Sequence, residues 1–303
     1  MSYSPLVSVG MPTYNRPHSL RRALECMTKQ TYSNLEIVIS DNCSPNGETD
    51  AVVKEFSELD SRIIFYKQKE NVGIARNFNA VLEKATGEYF MWAADDDEWE
   101  DNFIELCVTE LNRLGPDYVA AITEVQYFSD DERFDFFSEG QPFYGFFSLD
   151  VMDRMMHMLK YCYGNLSYSL FRRQVLLHTN GTIFDYLEPK SLNEIPLLLY
   201  IAQHGNWVVS PEIAFYKRTN INTYEQAKWE KVGGKLPNSK GLLYYRYLPR
   251  NFGYHRQAKK DIFSAIELLD LNLLDKTKLK SIAFALLTKH LGAFAVKRKK
   301  RAF

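Results

Sequence analysis

Gly87-Glu88-Tyr89-Phe90-Met91-Trp92-Ala93-Ala94-Asp95-Asp96-Asp97 is the stretch on which the reading of this chain turns. Six apolar residues, Tyr89 to Ala94, read as a strand buried on both faces. Three carboxylates stand at its C-terminal end. In open α/β sheets ligands bind just beyond the carboxyl ends of the strands. Adjacent carboxylates repel one another unless a cation or solvent compensates them. Oxygen ligands of this kind suit Mg2+ or Mn2+, usually shared with substrate phosphates. The plain alternative is a solvated acidic turn that caps a helix starting near Glu100.

Upstream, Leu6 to Met11 alternates as a first strand, broken by Pro12-Thr13-Tyr14-Asn15-Arg16-Pro17. Ser19 to Gln30 is predicted to be a helix, with Leu20, Ala23, Leu24 and Met27 on one face. Leu35 to Ser40 is a second strand ending in Asp41-Asn42, and Thr49 to Leu59 a second helix. Arg62 to Tyr66 is a third strand, and Ile74 to Ala85 a helix stopped by Gly87. Downstream, Phe103 to Leu114 is a helix and Tyr118 to Phe128 a fifth strand. Strands alternating with helices of about a dozen residues predict an α/β fold built on a doubly wound, mainly parallel, Rossmann-like sheet.

Beyond residue 128 the pattern changes. Ser129 to Phe147 is acidic and aromatic with little periodicity. It reads as a long loop or a short hairpin, whose Phe134, Phe136, Phe137, Phe143, Tyr144, Phe146 and Phe147 form either an acceptor platform or a satellite hydrophobic cluster. Val151 to Tyr163 and Asn193 to His204 read as helices. Trp207 to Val209 and Ile213 to Tyr216 read as short strands. After about residue 222 the chain looks helical, in two long pieces over 257–271 and 276–296. The expected organisation is a domain over 1–221, with halves 1–128 and 129–221, followed by a helical C-terminal extension over 222–303 with a basic tail.

The 303 residues suffice for one or two domains with a sizeable core. A net charge of −1 gives no general basic field for nucleic acid, the exception being Lys297 to Arg301. Cys26, Cys43, Cys107 and Cys162 are scattered without CxxC spacing, so they are expected to be reduced thiols in a cytoplasmic protein. The first residues lack the basic and long apolar regions of a secretory signal. No uncharged apolar run reaches about 18 residues, so no helix is expected to span a membrane. The sequons at Asn42, Asn165 and Asn180 are therefore expected to stay unglycosylated. Leu279, Ile282, Leu286, Leu287, Leu291 and Phe294 share helical spacing beside Lys278, Lys280, Lys289 and the basic tail. That pattern suits peripheral contact with an anionic membrane face, or a helix packed on the protein with a solvated tail.

The ordered set Pro12-Thr13-Tyr14-Asn15-Arg16, Ser40-Asp41-Asn42, Asn71-Val72-Gly73…Arg76-Asn77 and Gly87-Glu88-Tyr89…Asp95-Asp96-Asp97 resembles the family 2 glycosyltransferases of the GT-A fold. The likeness covers roughly residues 5 to 218. It implies a nucleotide-diphosphate sugar donor, a glycan or lipid-linked acceptor, inversion at the anomeric carbon and a place in bacterial surface polysaccharide synthesis. By this resemblance Pro12, Thr13, Tyr14 and Asn15 form the base and ribose wall. Asp41 accepts from the N3–H of uracil, which favours UDP, and Arg76 lies near base and phosphates. Residue by residue, Asp41 also suits a turn cap beside Asn42 and Ser44, and Arg76 a solvated helix face. Asp97, supported by Asp95, would hold Mn2+ or Mg2+, and Asp96 the ribose or a metal-bound water. The family's common form is Asp-x-Asp-Asp, and Ala94 stands in the place of its first Asp. Arg218, within Tyr216-Lys217-Arg218, matches a late element near the diphosphate, and Asn220 takes the place of a His found there in many relatives. Glu194, in Asn193-Glu194-Ile195-Pro196, matches the stretch that carries the general base, with Asp185 and Glu188 as substitutes. Glu194 also suits a helix's first turn on dipole grounds alone. Two rival readings are a sugar-phosphate nucleotidyltransferase and a glycan-binding relative without catalysis. The first lacks a Gly-rich basic loop after the first strand to hold a triphosphate.

Overall fold

The computed structural model describes residues 4–129, 132–134, 148–161, 164–178, 181–182, 194–218 and 252–299. It forms two compact units. One combines 1–145, 168–182 and 207–233; the other combines 146–167, 183–206 and 234–303.

The first unit is built on a mixed sheet. Strand β1 (Val7–Thr13) pairs in parallel with β2 (Leu35–Asp41) on one side and with β4 (Tyr89–Trp92) on the other. β3 (Ile63–Lys67) pairs in parallel with the far side of β2. The chain therefore steps outward through β1, β2 and β3 and then returns across β1. The order β3-β2-β1-β4 puts the reversal between β1 and β4. Helices α1 (Pro17–Thr28), α2 (Glu48–Leu59) and α3 (Ile74–Lys84) make the connections. α1 buries Leu20, Ala23, Leu24 and Met27, the face its periodicity predicts.

Close packing around β1 depends on Gly10. A Cβ there would stand 2.7 Å from Cζ of Phe90 and 2.8 Å from Cγ2 of Val81, so glycine lets β4 and α3 approach. The Trp92 indole N–H donates to the Phe78 carbonyl at 3.0 Å and ties α3 to β4.

Beyond β4 the sheet becomes antiparallel. β8 (Leu170–Arg172) pairs antiparallel with β4 and with β6 (Tyr118–Ser129). β6 carries the short β7 (Glu132–Phe134), and α4 (Phe103–Leu114) precedes it. β11 (Asn206–Arg218) follows β6 in the sheet order and holds the two-residue β5 (Glu98–Trp99) at the edge. The short hairpin of β9 (Leu177–His178) and β10 (Gly181–Thr182) stands apart from this sheet. The predicted pair of short strands in the last part is thus one 13-residue strand. It runs through Pro211, an exposed position where no ladder donor is needed. The expected strand over Tyr89–Ala94 closes at Trp92. Ala93 still donates to the Gly10 carbonyl at 2.9 Å, and the chain then turns, with Asp97 N–H donating to the Ala94 carbonyl at 3.3 Å.

The second unit is helical. α5 (Val151–Tyr161), α6 (Ile195–His204), α7 (Phe252–Leu268) and α8 (Leu273–Lys299) pack on one another. Arg154 is clamped inside it, its Nε donating to the Ala202 carbonyl at 2.9 Å. In α8 the side chains of Leu279, Ala283 and Leu287 are buried within this unit. Of the apolar stripe, Leu279 and Leu287 are thus taken up by packing, and Ile282 and Leu286 are half-buried. Among the described residues no helix is long and apolar enough to cross a membrane.

Candidate active site

The carboxyl ends of β1, β2 and β4 lie side by side. Register pairs Thr13 with Asp41, and Gly10 with Trp92, so β1 overhangs the end of β4 by three residues. That overhang brings the Thr13 hydroxyl to Asp95, where it donates to Oδ2 at 2.7 Å. Strand order reverses at this point, the position where doubly wound sheets open a crevice for ligands.

The three aspartates differ in setting. The Asp95 side chain is 7% exposed, Asp96 31% and Asp97 0%. NH1 of Arg16 donates to Asp95 Oδ1 at 3.0 Å and to Asp96 Oδ2 at 2.9 Å. Asp97 faces β11: Lys217 Nζ donates to its Oδ2 at 2.7 Å, and the Arg218 backbone N–H donates to its Oδ1 at 2.9 Å. The Lys217 ammonium also sits 4.1 Å from the centre of the Tyr168 ring, and the Arg218 guanidinium 4.5 Å from that of Phe128. Short β5 makes this contact possible, because Phe215 pairs with Trp99 and Tyr216 with Glu98, carrying the next two residues to Asp97. The Tyr216 hydroxyl donates to Glu100 Oε1 at 2.5 Å and closes the same joint.

Burial pushes the Asp97 carboxyl up to about 6, against the pull of Lys217. Burial would lower the Lys217 ammonium, but Asp97 together with Tyr168 and Asp96 outweighs it and holds the lysine above its ordinary value. Asp95 is likewise raised by burial, opposed by Thr13 and Arg16. Arg16 is raised, mainly by Asp95.

Around the base side, Asp41 is fully buried and turns inward. It accepts from Ser44 N–H at 3.1 and 3.2 Å and from the Ser44 hydroxyl, and Lys67 Nζ lies 3.6 Å away. In this geometry Asp41 caps its own turn, the alternative its sequence context offers. Ser44 Oγ in turn accepts from the Asn15 N–H at 2.7 Å. Asn15 and Cys43 hold positive φ, 53° and 65°, at the exits of β1 and β2. Asn15 is of a residue type that tolerates this region; Cys43 is not. Asn77 clamps the two strand ends: its Nδ2 donates to the carbonyls of Ser40 (3.0 Å) and Thr13 (3.3 Å), and its Oδ1 accepts from Ser40 Oγ at 2.7 Å. Asn42, Asn71 and Val72 are linked by further hydrogen bonds that fix the loop before α3. Tyr14 stands out at 44% exposure, open to stack on a planar ligand. Pro12 is buried in β1, and Arg76 is exposed on α3.

Of the residues singled out in the sequence, the structure gathers Pro12, Thr13, Tyr14, Asn15, Asp41, Asp95, Asp96, Asp97 and Arg218 in the first unit. Glu194 belongs to the second unit, at the N-cap of α6, with its Oε2 3.4 Å from where a Cβ on Gly164 would lie. Asp185, Glu188, Asn220 and most of the aromatic loop over 129–147 lie outside the described residues. Arg16, Lys217 and Asn77 carry site contacts that sequence reasoning did not assign.

Mn2+ or Mg2+ held by Asp97 and Asp95 does not fit this donor set. All four oxygens of those two carboxylates already accept from protein donors, two of them cationic. Asp97 has no exposed surface through which a hydrated ion could reach it. An ion on Asp97 would have to displace the Lys217 ammonium or sit beside it, although that ammonium already neutralises the carboxylate. Among the described residues no three His, Cys, Asp or Glu side chains form a metal-holding group.

Comparison with known proteins agrees with the architecture. Residues 8–176 match the model of Glycosyl transferase family 2. An uncharacterized glycosyltransferase of Rickettsia felis is 39% identical over 113 residues, 37% of this chain and 18% of that protein. The chain therefore matches under a fifth of that relative's length. Residues 1–349 of S. aureus TarS in complex with UDP-GlcNAc superpose with a TM-score of 0.59 at 15% identity, covering 92% of this chain and 72% of that TarS chain. The mannosyltransferase PcManGT of Pyrobaculum calidifontis, in complex with GDP-Man and Mn2+, gives a TM-score of 0.53 at 17% identity, covering 96% and 88%. At these identities the structural likeness shows the fold.

Proposed function

The chain belongs to glycosyl transferase family 2 and is a glycosyltransferase; on that premise we propose that it moves a sugar from a nucleotide-diphosphate donor to a glycan or lipid-linked acceptor in bacterial surface polysaccharide synthesis. One observation carries the reading: Thr13 of β1 bonds Asp95 beyond β4 at 2.7 Å, across the point where strand order reverses. Close to that point in the chain stand an exposed Tyr14 and Arg16, the latter bonded to the part-exposed Asp96. An aromatic face suits a nucleobase, a guanidinium suits a diphosphate, and a carboxylate suits ribose hydroxyls. The resemblance favours a uridine donor through Asp41, which here bonds Ser44 instead, so the support for uridine is the neighbour TarS, solved with UDP-GlcNAc.

In the proposed reaction the acceptor hydroxyl loses its proton to a base and attacks the anomeric carbon. The bond to the diphosphate breaks on the opposite face, and the nucleoside diphosphate leaves with the electron pair. Glu194 is the proposed base, on its match to the family stretch alone. The test is nucleotide release from a panel of UDP-, dTDP- and GDP-sugars. At least one should turn over, and Asp96→Asn should suppress it. Pyrophosphate release from a nucleoside triphosphate and a sugar phosphate, with no donor cleaved, would instead favour a nucleotidyltransferase.

A further inference from the structure

We propose that the donor diphosphate is held in this chain by Arg16, that Lys217 is the fixed counter-ion of Asp97, and that nucleotide binding needs no divalent cation. The inference rests on the donor-site reading above and concerns how the charge of that site is balanced.

Arg16 stands where β1 leaves the sheet, at the N-cap of α1. A single nitrogen, NH1, serves both Asp95 and Asp96. Its Nε and NH2 have no partner among the described residues, and the side chain is 55% exposed. A guanidinium presents five N–H donors in one planar fork that matches phosphate oxygens in pairs. Asp95 is itself fixed by Thr13, so it and Asp96 orient the fork and leave its outer edge to a ligand. Asp97 is shut off from solvent, and the groups that meet its oxygens are the Lys217 ammonium and the Arg218 N–H. The place a divalent ion would take on that carboxylate is filled by an ammonium. Of the three aspartates an ion approaching from solvent finds Asp96 the one that is partly open, and there it stands beside Arg16. Lys217 thus neutralises the buried carboxylate, and Arg16 meets the phosphates, two tasks that one bound ion would otherwise combine.

The test is titration calorimetry on the full chain with UDP and with GDP, each in excess EDTA and in excess Mn2+. The nucleotide that binds should do so with equal affinity in both buffers. Arg16→Ala should weaken it by about ten- to a hundredfold, the range for a lost charge-assisted bond, and Arg16→Lys by less. Arg16→Ala also takes a counter-charge from the nearly buried Asp95, so its melting temperature should fall, and affinities are compared at a temperature where scanning calorimetry shows every variant folded. Binding only in Mn2+, or an Arg16→Ala chain that binds as tightly as the native one in EDTA, overturns the inference and leaves the donor site standing. Binding of neither nucleotide in either buffer overturns the donor-site reading and this inference with it.

Discussion

The Lys217 ammonium lies 2.7 Å from Asp97 and joins the end of β11 to the turn after β4. A buried pair of this kind is weak evidence for net stability, but breaking it from one side is costly. Lys217→Met leaves Asp97 buried without a counter-charge and should destabilise the fold by about 3–5 kcal/mol. The double change Asp97→Asn with Lys217→Met should recover most of that loss. Thermal unfolding of the two singles and the double measures the coupling; equal, additive losses would show that the pair is not a unit.

Asp96 is the most exposed of the three aspartates. Asp96→Asn should leave the melting temperature within a degree or two, since it removes no buried charge. Donor KM should rise about ten- to a hundredfold, the range for losing a hydrogen bond to a charged group. A variant with native donor kinetics would remove Asp96 from the donor site.

Glu194→Gln keeps the shape of the α6 N-terminus and removes the proton acceptor. Transfer should fall by about 100- to 10,000-fold with nucleotide binding unchanged, the span of general-base contributions. Comparing calorimetric affinity with transfer rate separates the two effects. Preserved transfer would move the base to another carboxylate.

The entry to β3 carries a pH-dependent clasp. Arg62 Nε and NH2 reach Asp60 at 2.9 and 2.6 Å, and NH2 also donates to the Thr28 carbonyl at 2.9 Å. Arg62's hydrogen bonds hold the Asp60 carboxyl below its ordinary value of 3.8. A depressed carboxyl stabilises the fold above its unfolded value and loses that contribution as pH falls through the folded one. Arg62→Met should therefore cost about 1 kcal/mol at neutral pH, and the gap should narrow in acid to the part due to Thr28. Urea midpoints of both chains at neutral and acid pH check this; a gap that widens in acid would contradict it.

The parallel half of the sheet was legible because each strand and its helix declare themselves locally. Leu20, Ala23, Leu24 and Met27 repeat every three or four residues, and the run from Tyr89 ends in carboxylates. The β5–β11 joint was not legible. Glu98 and Trp99 form a strand only because Tyr216 and Phe215 lie beside them, and no local pattern reveals a partner more than a hundred residues away. The same distance hides the chemistry of the aspartates. Their adjacency suggests an ion, while their counter-charges come from Arg16 and Lys217 on other elements. Asp41 shows the reverse case, where the nearby Ser44 that hinted at a turn cap is the partner found.

A crystal of the full chain soaked with the nucleotide sugar it cleaves would test the account most directly. The base should lie over Tyr14, and the diphosphate within hydrogen-bonding distance of Arg16, beside the bonded pair Thr13 and Asp95. A nucleotide bound elsewhere on the chain, with that crevice left to solvent, would contradict it.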